Sequence, residues 1–347
     1  AFYNCSKLAS ILIPSGVTAI NDYTFQGCAS LASVTIPSSV TSLGFNSFTA
    51  CTNLASINIP SSVNSIGIGA FYNCSKLASI LIPSGVTTIN DSTFRGCTSL
   101  VNVQIPYGAT TIGFNSFLGC QNLVSISIPS TVTTIAGGAF YECYSLASIS
   151  IPSGITIIND CTFQACTSLV SVTIPDSVTS LGYNAFAACT SLTSAIIPAS
   201  VNKIGAGVFY NCTSLISISI PSGVTIINDG TFQYCAGLIS IYAFGNAPNL
   251  GNHVFDNVNG TVYYLAGSSG WTNPWGGLRT VAETAFKSST TLKTSAESSV
   301  YGSLIFFEAV VSAESSTPSG SVIFRNGTSV LGEVKLVSGK ALFTIST

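Results

Sequence analysis

The fold is decided by residues 8 to 28, which read Leu-Ala-Ser-Ile-Leu-Ile-Pro-Ser-Gly-Val-Thr-Ala-Ile-Asn-Asp-Tyr-Thr-Phe-Gln-Gly-Cys. Leu8, Ile11 and Ile13 indicate a short strand with one buried face, because side chains alternate across a strand. Pro14 ends this strand, since proline has no N–H to give to a β-ladder. The apolar residues that follow, as far as Cys28, predict an extended or short helical return segment.

This stretch recurs along the whole first part of the chain with a period of 23 residues. The recurring positions are those of Cys5 to Cys235, Leu8 to Leu238, Phe2 to Phe255 and Ile13-Pro14 to Ile220-Pro221. One unit has too few apolar residues to form a core, so neighbouring units must stack and share one. The period therefore predicts a solenoid of parallel strands that are about 4.8 Å apart.

In addition to the 23-residue period, the sequence has a longer period of 69 residues, or three units. Residues 1–21 nearly recur at 70–90, and the pair Asn21-Asp22 recurs three more times, at Asn90-Asp91, Asn159-Asp160 and Asn228-Asp229. We interpret this longer period as duplication of a three-repeat block, which concerns the history of the chain and not its chemistry.

The pattern Leu-x-x-Ile-x-Ile-Pro-x-x-Val-x-x-Ile-x-x-x-x-Phe-x-x-Cys, found over roughly residues 1 to 242, resembles the BspA-type leucine-rich repeat. The resemblance implies a right-handed solenoid with a parallel β-sheet on its concave face. It also implies a kinship with bacterial and protist surface proteins that bind host or matrix proteins. No catalytic residues accompany this type of repeat.

The repeat pattern changes after residue 242, where Gly, Asn, Pro and two Trp become frequent. We interpret 243–281 as an atypical capping repeat in which Trp271 and Trp275 cover the end of the core. The predicted solenoid domain is thus 1–281, with about 12 repeats.

Residues 283–347 contain strand-like segments, a hairpin signal at Asn326-Gly327 and a segment from Pro318 to Phe324 that resembles bacterial Ig-like modules. We expect a small, partial Ig-like β-sandwich there.

The composition excludes several classes of function. Ten Lys and Arg against 12 Asp and Glu give a net charge of −2, so no basic surface for nucleic acid is expected. No apolar run approaches the ~18 residues of a membrane span. His253 is the one histidine, which removes most histidine-based catalysis and metal binding. We predict no enzyme activity, cofactor or metal.

The opening Ala1-Phe2 lacks signal-peptide features, so we expect a mature piece cut within structural units at both ends.

The cysteine column invites two interpretations. Thiols stacked at one-repeat intervals suggest a metal ladder or a redox array. We favour a buried column of small side chains, because metal ligands converge on a point whereas a column spreads them along a line. Cys161 lies off the column and is the better candidate for a reactive thiol, although a turn role is favoured for it.

The recurring aspartates are the other acidic feature. Asp22, Asp91, Asp160 and Asp229 are three repeats apart, roughly 15 Å on a 4.8 Å ladder. Paired carboxylates of glycosidases are about 5–9.5 Å apart. We therefore expect these side chains to accept backbone N–H bonds in turns.

The predicted binding surface is the outward side of the strands. The position of Ser10 is nearly always serine, whereas the position of Leu12 varies from repeat to repeat. A fixed framework with one variable, solvent-facing column is what a concave recognition surface needs. The candidate ligand-binding residues are Thr35, Asn58, Asn102, Gln104, Ser127, Ser150, Thr173, Ser219 and Tyr242.

Three functions remain open. The favoured one is a secreted or cell-surface adhesion protein that binds a protein or glycan ligand through the concave face. The first alternative is a non-catalytic binding arm of a larger secreted enzyme. The second is ice or surface-water binding by the threonine column that begins at Thr18, for which a plain hydroxyl ladder is the simpler explanation.

Overall fold

The architecture is a solenoid of parallel strands followed by a smaller antiparallel unit, as seen in a computed structural model. The structure describes residues 1–284, 288–294, 304–313, 321–326, 329–337 and 339–346. Pro318, Gly320 and Gly327 of the predicted Ig-like segment and hairpin lie outside these residues.

Short strands recur twice in nearly every repeat. The solenoid strands are β1 (Ser10–Leu12), β2 (Ala19–Ile20), β3 (Ser33–Thr35), β4 (Ser42–Leu43), β5 (Ser56–Ile57), β6 (Ser65–Ile66), β7 (Ser79–Ile80), β8 (Thr88–Ile89), β9 (Asn102–Gln104), β10 (Thr111–Ile112), β11 (Ser125–Ser127), β12 (Thr134–Ile135), β13 (Ile157–Ile158), β14 (Ser171–Thr173), β15 (Ser180–Leu181), β16 (Ser194–Ile196), β17 (Lys203–Ile204), β18 (Ser217–Ile220), β19 (Ile226–Ile227), β20 (Ser240–Ala243), β21 (Asn249–Leu250), β22 (Thr261–Leu265) and β23 (Arg279–Glu283).

The strands of the serine column form what we call the first sheet. Its pairings are parallel and, up to β20, one repeat apart, as in Ser10 with Ser33 and Ser125 with Asn102. The last two strands pair at shorter spacings, Ser240 with Thr261 and Thr261 with Arg279. Three hydrogen-bonded parts follow one another: β1-β3, β5-β7-β9-β11 and β14-β16-β18-β20-β22-β23. In the three-residue strands β3, β9, β11, β14 and β16 the middle residue is buried and its neighbours are exposed. The predicted parallel-stranded solenoid is confirmed.

The two-residue strands that begin directly after the threonine column form a second sheet, also parallel and in register. The return segment between the two sheets consists of successive turns, and the described residues contain no helix. Tight backbone bonds such as Cys28 N–H to the Phe25 carbonyl (3.1 Å) close these turns, while Phe25 N–H reaches the Ser47 carbonyl of the next repeat (2.8 Å). The return segment is therefore tied to its neighbour as firmly as the sheets are.

The core is a set of straight side-chain columns. The rings from Phe2 to Phe255 form one continuous stack, with neighbouring centroids between 5.2 and 5.8 Å apart. This is the offset geometry that aromatic pairs prefer. From Phe25 to Phe232 these rings are almost fully buried, as are the Leu column from Leu31 onward and the Cys column from Cys28 onward.

The aspartates join successive repeats at the corner after the second sheet. The Phe45 N–H donates to the Asp22 Oδ1 of the preceding repeat over 2.7 Å. Asp91, Asp160 and Asp229 likewise accept a hydrogen bond from a backbone N–H of the next repeat. Gly44 precedes Phe45 because a Cβ there would collide with the carboxylate and backbone of Asp22. The predicted turn role of these aspartates is confirmed.

The last strands of the first sheet close the described part of the solenoid. Trp275 is buried and its ring lies 5.5 Å from that of Phe255, while Trp271 stacks on Tyr264 at 5.0 Å. Both tryptophans pack against the main core, which is the contact expected of a capping repeat. The domain boundaries themselves stay a prediction.

The antiparallel unit has five strands in the described residues: β24 (Ser288–Thr294), β25 (Leu304–Ala313), β26 (Ser321–Asn326), β27 (Ser329–Lys335) and β28 (Lys340–Ser346). They form the sheets β24-β25-β28 and β26-β27. A small core of Ala309, Phe324 and Ala341 lies between the sheets. The Ig-like assignment of this unit is not tested by these pairings and stays a prediction.

Candidate functional site

The outward face of the first sheet carries most of the predicted ligand-binding residues at its surface. The exposed ones are Thr35, Asn58, Asn102, Gln104, Ser127, Ser150 and Thr173. Tyr242 is half-buried and its ring stacks on that of Tyr263 at 5.4 Å. Their role in binding a ligand stays a prediction.

Ser219 is an exception, because the prediction that it faces solvent is wrong. It is only 3% exposed. It pairs with Tyr242 across β18 and β20, and Ile196 lies at the same level of β16 on its other side. Two large side chains thus cover a small one, and the Ser219 hydroxyl has no hydrogen-bond partner among the described residues.

A line of exposed aliphatic side chains also lies on this face, and the sequence interpretation missed it. It occupies the position just before the serine column. Its members are alanine in the first four repeats and again at Ala147, and threonine at Thr193. The larger aliphatic members are Val101, Val124, Val170, Ile216 and Ile239, which are 38 to 64% exposed. The appearance of valine and isoleucine in later repeats, at a position that begins as alanine, was the available signal.

An open groove of 640 Å³ crosses three repeats at the carboxyl ends of β5, β7 and β9. Asn58 and Gln104 line it on either side of Leu81, and Tyr107 lies at one end. Leu81 and Tyr107 are 70% and 74% exposed. The ladder is interrupted here, because β7 ends at Ile80 and pairs with β9 only through Ser79 and Asn102.

The cysteine column is a hydrogen-bonded ladder. Each thiol from Cys28 to Cys235 donates to the carbonyl of the phenylalanine 26 residues earlier, at 3.0 to 3.3 Å. No disulfide is present among the described residues. Burial raises the pKa of Cys51, Cys189 and Cys235 from 9.0 to about 12. The buried-column interpretation is confirmed for these ten thiols, whereas Cys5 in the first repeat is exposed.

Cys161 occupies a turn with a φ of 56° and is half-buried. Burial, and secondarily the Asp160 carboxylate, raises the pKa of this thiol. A raised pKa lowers the thiolate fraction and with it the reactivity. The turn role is therefore favoured over that of a reactive thiol.

The rate of alkylation should distinguish the exposed, half-buried and buried cysteines. With iodoacetamide at pH 8, native protein should label at Cys5, slowly at Cys161, and not at the ten buried positions, because thiolates are the reacting species. In denaturant all 12 cysteines should label. Intact mass and peptide mapping give the counts. Rapid native labelling of Cys97 or Cys143, whose pKa values burial raises well above 9.0, would contradict the packing described.

The threonine column behaves as a hydroxyl ladder where its bonds are seen. The Oγ1 atoms of Thr41, Thr110 and Thr179 donate to the threonine carbonyl one repeat earlier, at 3.3 to 3.4 Å. These hydroxyls satisfy backbone groups of the solenoid, which supports the simpler explanation of the column.

The described residues contain no group of three or more His, Cys, Asp or Glu side chains that could hold a metal ion. They also contain no helix long and apolar enough to cross a membrane. His253 pairs with Asp256 over 2.7 Å at an exposed position.

Parallel strands stacked one repeat apart, with leucine, Ile-Pro, phenylalanine and cysteine in fixed columns, define a leucine-rich repeat solenoid. The family model described as the BspA type leucine rich repeat region matches residues 1–123, 65–153, 87–171 and 133–261. The chain belongs to this BspA-type leucine-rich repeat family.

Solved structures are similar to the chain over most of its length. A leucine-rich repeat protein from Bacteroides ovatus is 26% identical, with a TM-score of 0.53 over 81% of this chain and 85% of the other. One from Eubacterium ventriosum is also 26% identical, with a TM-score of 0.51 over 74% and 72%. The pneumococcal vaccine antigen PcpA, 19% identical with a TM-score of 0.52 over 76% and 69%, shares the fold. No curated protein matches the chain.

Proposed function

We propose that this protein is a non-enzymatic recognition protein that binds a protein or glycan ligand through the outward face of the first sheet. One observation carries the proposal. Across eleven successive repeats the strands present a line that is serine in every repeat but one and a variable line, beside a line that is alanine, valine or isoleucine in every repeat but one, and none of these positions holds a charged residue. A uniform framework with one variable column suits recognition of a specific partner.

The chemistry of the face supports binding of a partner. Isolated exposed hydrophobic residues are ordinary on protein surfaces, but contiguous ones mark interaction sites. Here Val101 and Val124 lie in consecutive repeats, as do Ile216 and Ile239, and the backbone ladder joins each pair directly. These backbone hydrogen bonds, directly before the strands, hold the residues in place, so little conformational entropy is lost on binding.

Membership of the BspA-type family supports a secreted or cell-surface location and a role in adhesion. The same resemblance brings no catalytic residues with it. The ligand then meets a surface whose specificity rests on shape, apolar contact and neutral hydrogen-bonding groups.

A charge placed on the face tests the proposal. The full chain is first applied to an array of matrix proteins and glycans to find a ligand. Ser150→Arg should then weaken that binding at least tenfold, because a long cationic side chain would be desolvated against the ligand. The melting temperature should stay the same, since Ser150 is exposed.

Thr134→Arg is the matched control, because it adds the same charge on the second sheet, where Thr134 is exposed. It should leave binding unchanged. Equal loss of binding in both variants, or unfolding of Ser150→Arg, would count against the first sheet as the binding face.

A further inference from the structure

The groove at the carboxyl ends of β5, β7 and β9 lies beside one of the places where the first sheet is interrupted. The ladder between β9 and β11 pairs three residues, up to Gln104 and Ser127. Between β7 and β9 the pairing stops two residues earlier. Leu81 therefore lies just beyond the end of β7, and it lines the groove.

The walls of the groove carry neutral hydrogen-bonding groups. Asn58 and Gln104 both line it, one repeat on either side of Leu81, so their strand positions are about 10 Å apart. Each carboxamide offers a carbonyl acceptor and an NH₂ donor. A hydroxyl group is also both donor and acceptor, so one carboxamide can satisfy two neighbouring hydroxyls at once. None of the residues lining the groove is charged.

The floor and one end of the groove are apolar. Pro60, Pro83 and Pro106 line it beside Leu81. Tyr107 follows directly on Pro106, at a turn position that is serine in most other repeats, and its side chain is 74% exposed. A rigid turn thus presents a flat aromatic ring at the groove. The volume of 640 Å³ falls within the range of about 300–1,000 Å³ typical of small-molecule sites.

We propose that this groove binds a neutral glycan segment of two or three sugar units. The carboxamides of Asn58 and Gln104 hydrogen-bond with sugar hydroxyls, and the Tyr107 ring packs against the C–H face of a pyranose. This inference rests on the proposed function and names the ligand class and the place where it is bound.

The groove fits other ligands less well. A peptide bound by strand addition needs a free sheet edge, but β7 lies between β5 and β9. A purely apolar protein surface would bury both carboxamides without hydrogen-bond partners, which is unfavourable. A charged glycan would lose hydration and find no counter-charge among the lining residues.

Calorimetric titration of the full chain with cellohexaose, laminarihexaose and mannohexaose tests the inference. At least one of these neutral hexasaccharides should bind. Tyr107→Ala should weaken that binding tenfold or more, and the double variant Asn58→Ala/Gln104→Ala should do the same. Tyr183→Ala is the matched control, because Tyr183 is a 53% exposed tyrosine outside the first sheet and should leave binding unchanged.

The outcomes distinguish this inference from the proposed function. If no hexasaccharide binds, or if the groove variants bind as well as the unaltered chain, the glycan groove is wrong. In either case, the proposal that the first sheet is the binding face remains supported if Ser150→Arg abolishes binding of an array ligand. If neither the groove variants nor Ser150→Arg affects any binding, both proposals fail.

Discussion

Raising the pH from 8 to 10 is expected to unfold the solenoid. The cause is the buried column of ten thiols from Cys28 to Cys235. Burial raises their pKa values, to about 12 for Cys51, Cys189 and Cys235, whereas an unfolded thiol keeps its usual value of 9.0. Below pH 9 both states hold the protons and the stabilisation is complete. Above pH 9 the unfolded chain releases protons that the folded chain retains, so stability falls until the folded pKa is reached.

The size of the effect follows from the number of thiols. Each thiol whose folded pKa lies well above 10 loses roughly 1 kcal/mol of stabilisation between pH 9 and 10, so the nine thiols from Cys51 to Cys235 lose on the order of 9 kcal/mol over that unit. This is comparable with the whole free energy of unfolding of an ordinary domain, about 5–15 kcal/mol. Urea unfolding followed by tryptophan fluorescence at half-unit pH steps measures it.

A matched variant isolates the thiols from other groups that titrate in alkali. Replacing Cys97, Cys120, Cys143 and Cys166 by alanine lowers the number of protons released on unfolding by about four. The slope of stability against pH should then become shallower, even if the protein is less stable at pH 7. A free energy of unfolding that stays constant between pH 8 and 10.5 would refute the burial of these thiols.

Phe117→Ala is expected to divide the solenoid into two unfolding units. Phe117 is fully buried, and its ring stacks on those of Phe94 and Phe140 at 5.3 and 5.6 Å. Truncating a buried phenylalanine costs about 3–5 kcal/mol. Because each repeat contacts only its neighbours, this loss falls on the coupling between the two halves. Urea unfolding should therefore change from one transition to two.

Phe114→Ala is the control, since Phe114 belongs to the same repeat and is 53% exposed. Its substitution should change stability by less than about 0.5 kcal/mol and leave a single transition. A single transition for Phe117→Ala, or equal destabilisation by both variants, would show that the phenylalanine stack does not carry the coupling between repeats.

The stacked-repeat core of the fold is predictable from the sequence, because each inward position needs an apolar side chain of similar size in every repeat. The columns of Phe25, Cys28 and Leu31 share a common interior, so any departure would leave a cavity or a clash. Outward positions have no such requirement, and their neighbours decide their environment. Ser219 was expected at the surface because it belongs to an outward column, but Ile196 and Tyr242 in the adjacent strands cover it.

The candidate site was predictable only in part for a related reason. Asn58 and Gln104 could be recognised from the variable column, but the groove between them depends on where the ladder stops, which involves three repeats at once. Tyr107 lies in a turn rather than a strand, and only its replacement of a recurring serine could have drawn attention to it. Exceptions within a repeat are thus more informative about the site than its consensus.

The bond from Asp22 to the Phe45 N–H constrains how such a chain can change in length. A repeat that carries this aspartate must be followed by one with glycine at the Gly44 position, since a side chain there would strike the carboxylate. Tandem copying of a single aspartate-bearing repeat would place an asparagine at that point. Copying all 69 residues preserves every junction. Evolution can therefore extend the reach of this molecule in steps of about 14 Å without having to redesign any contact.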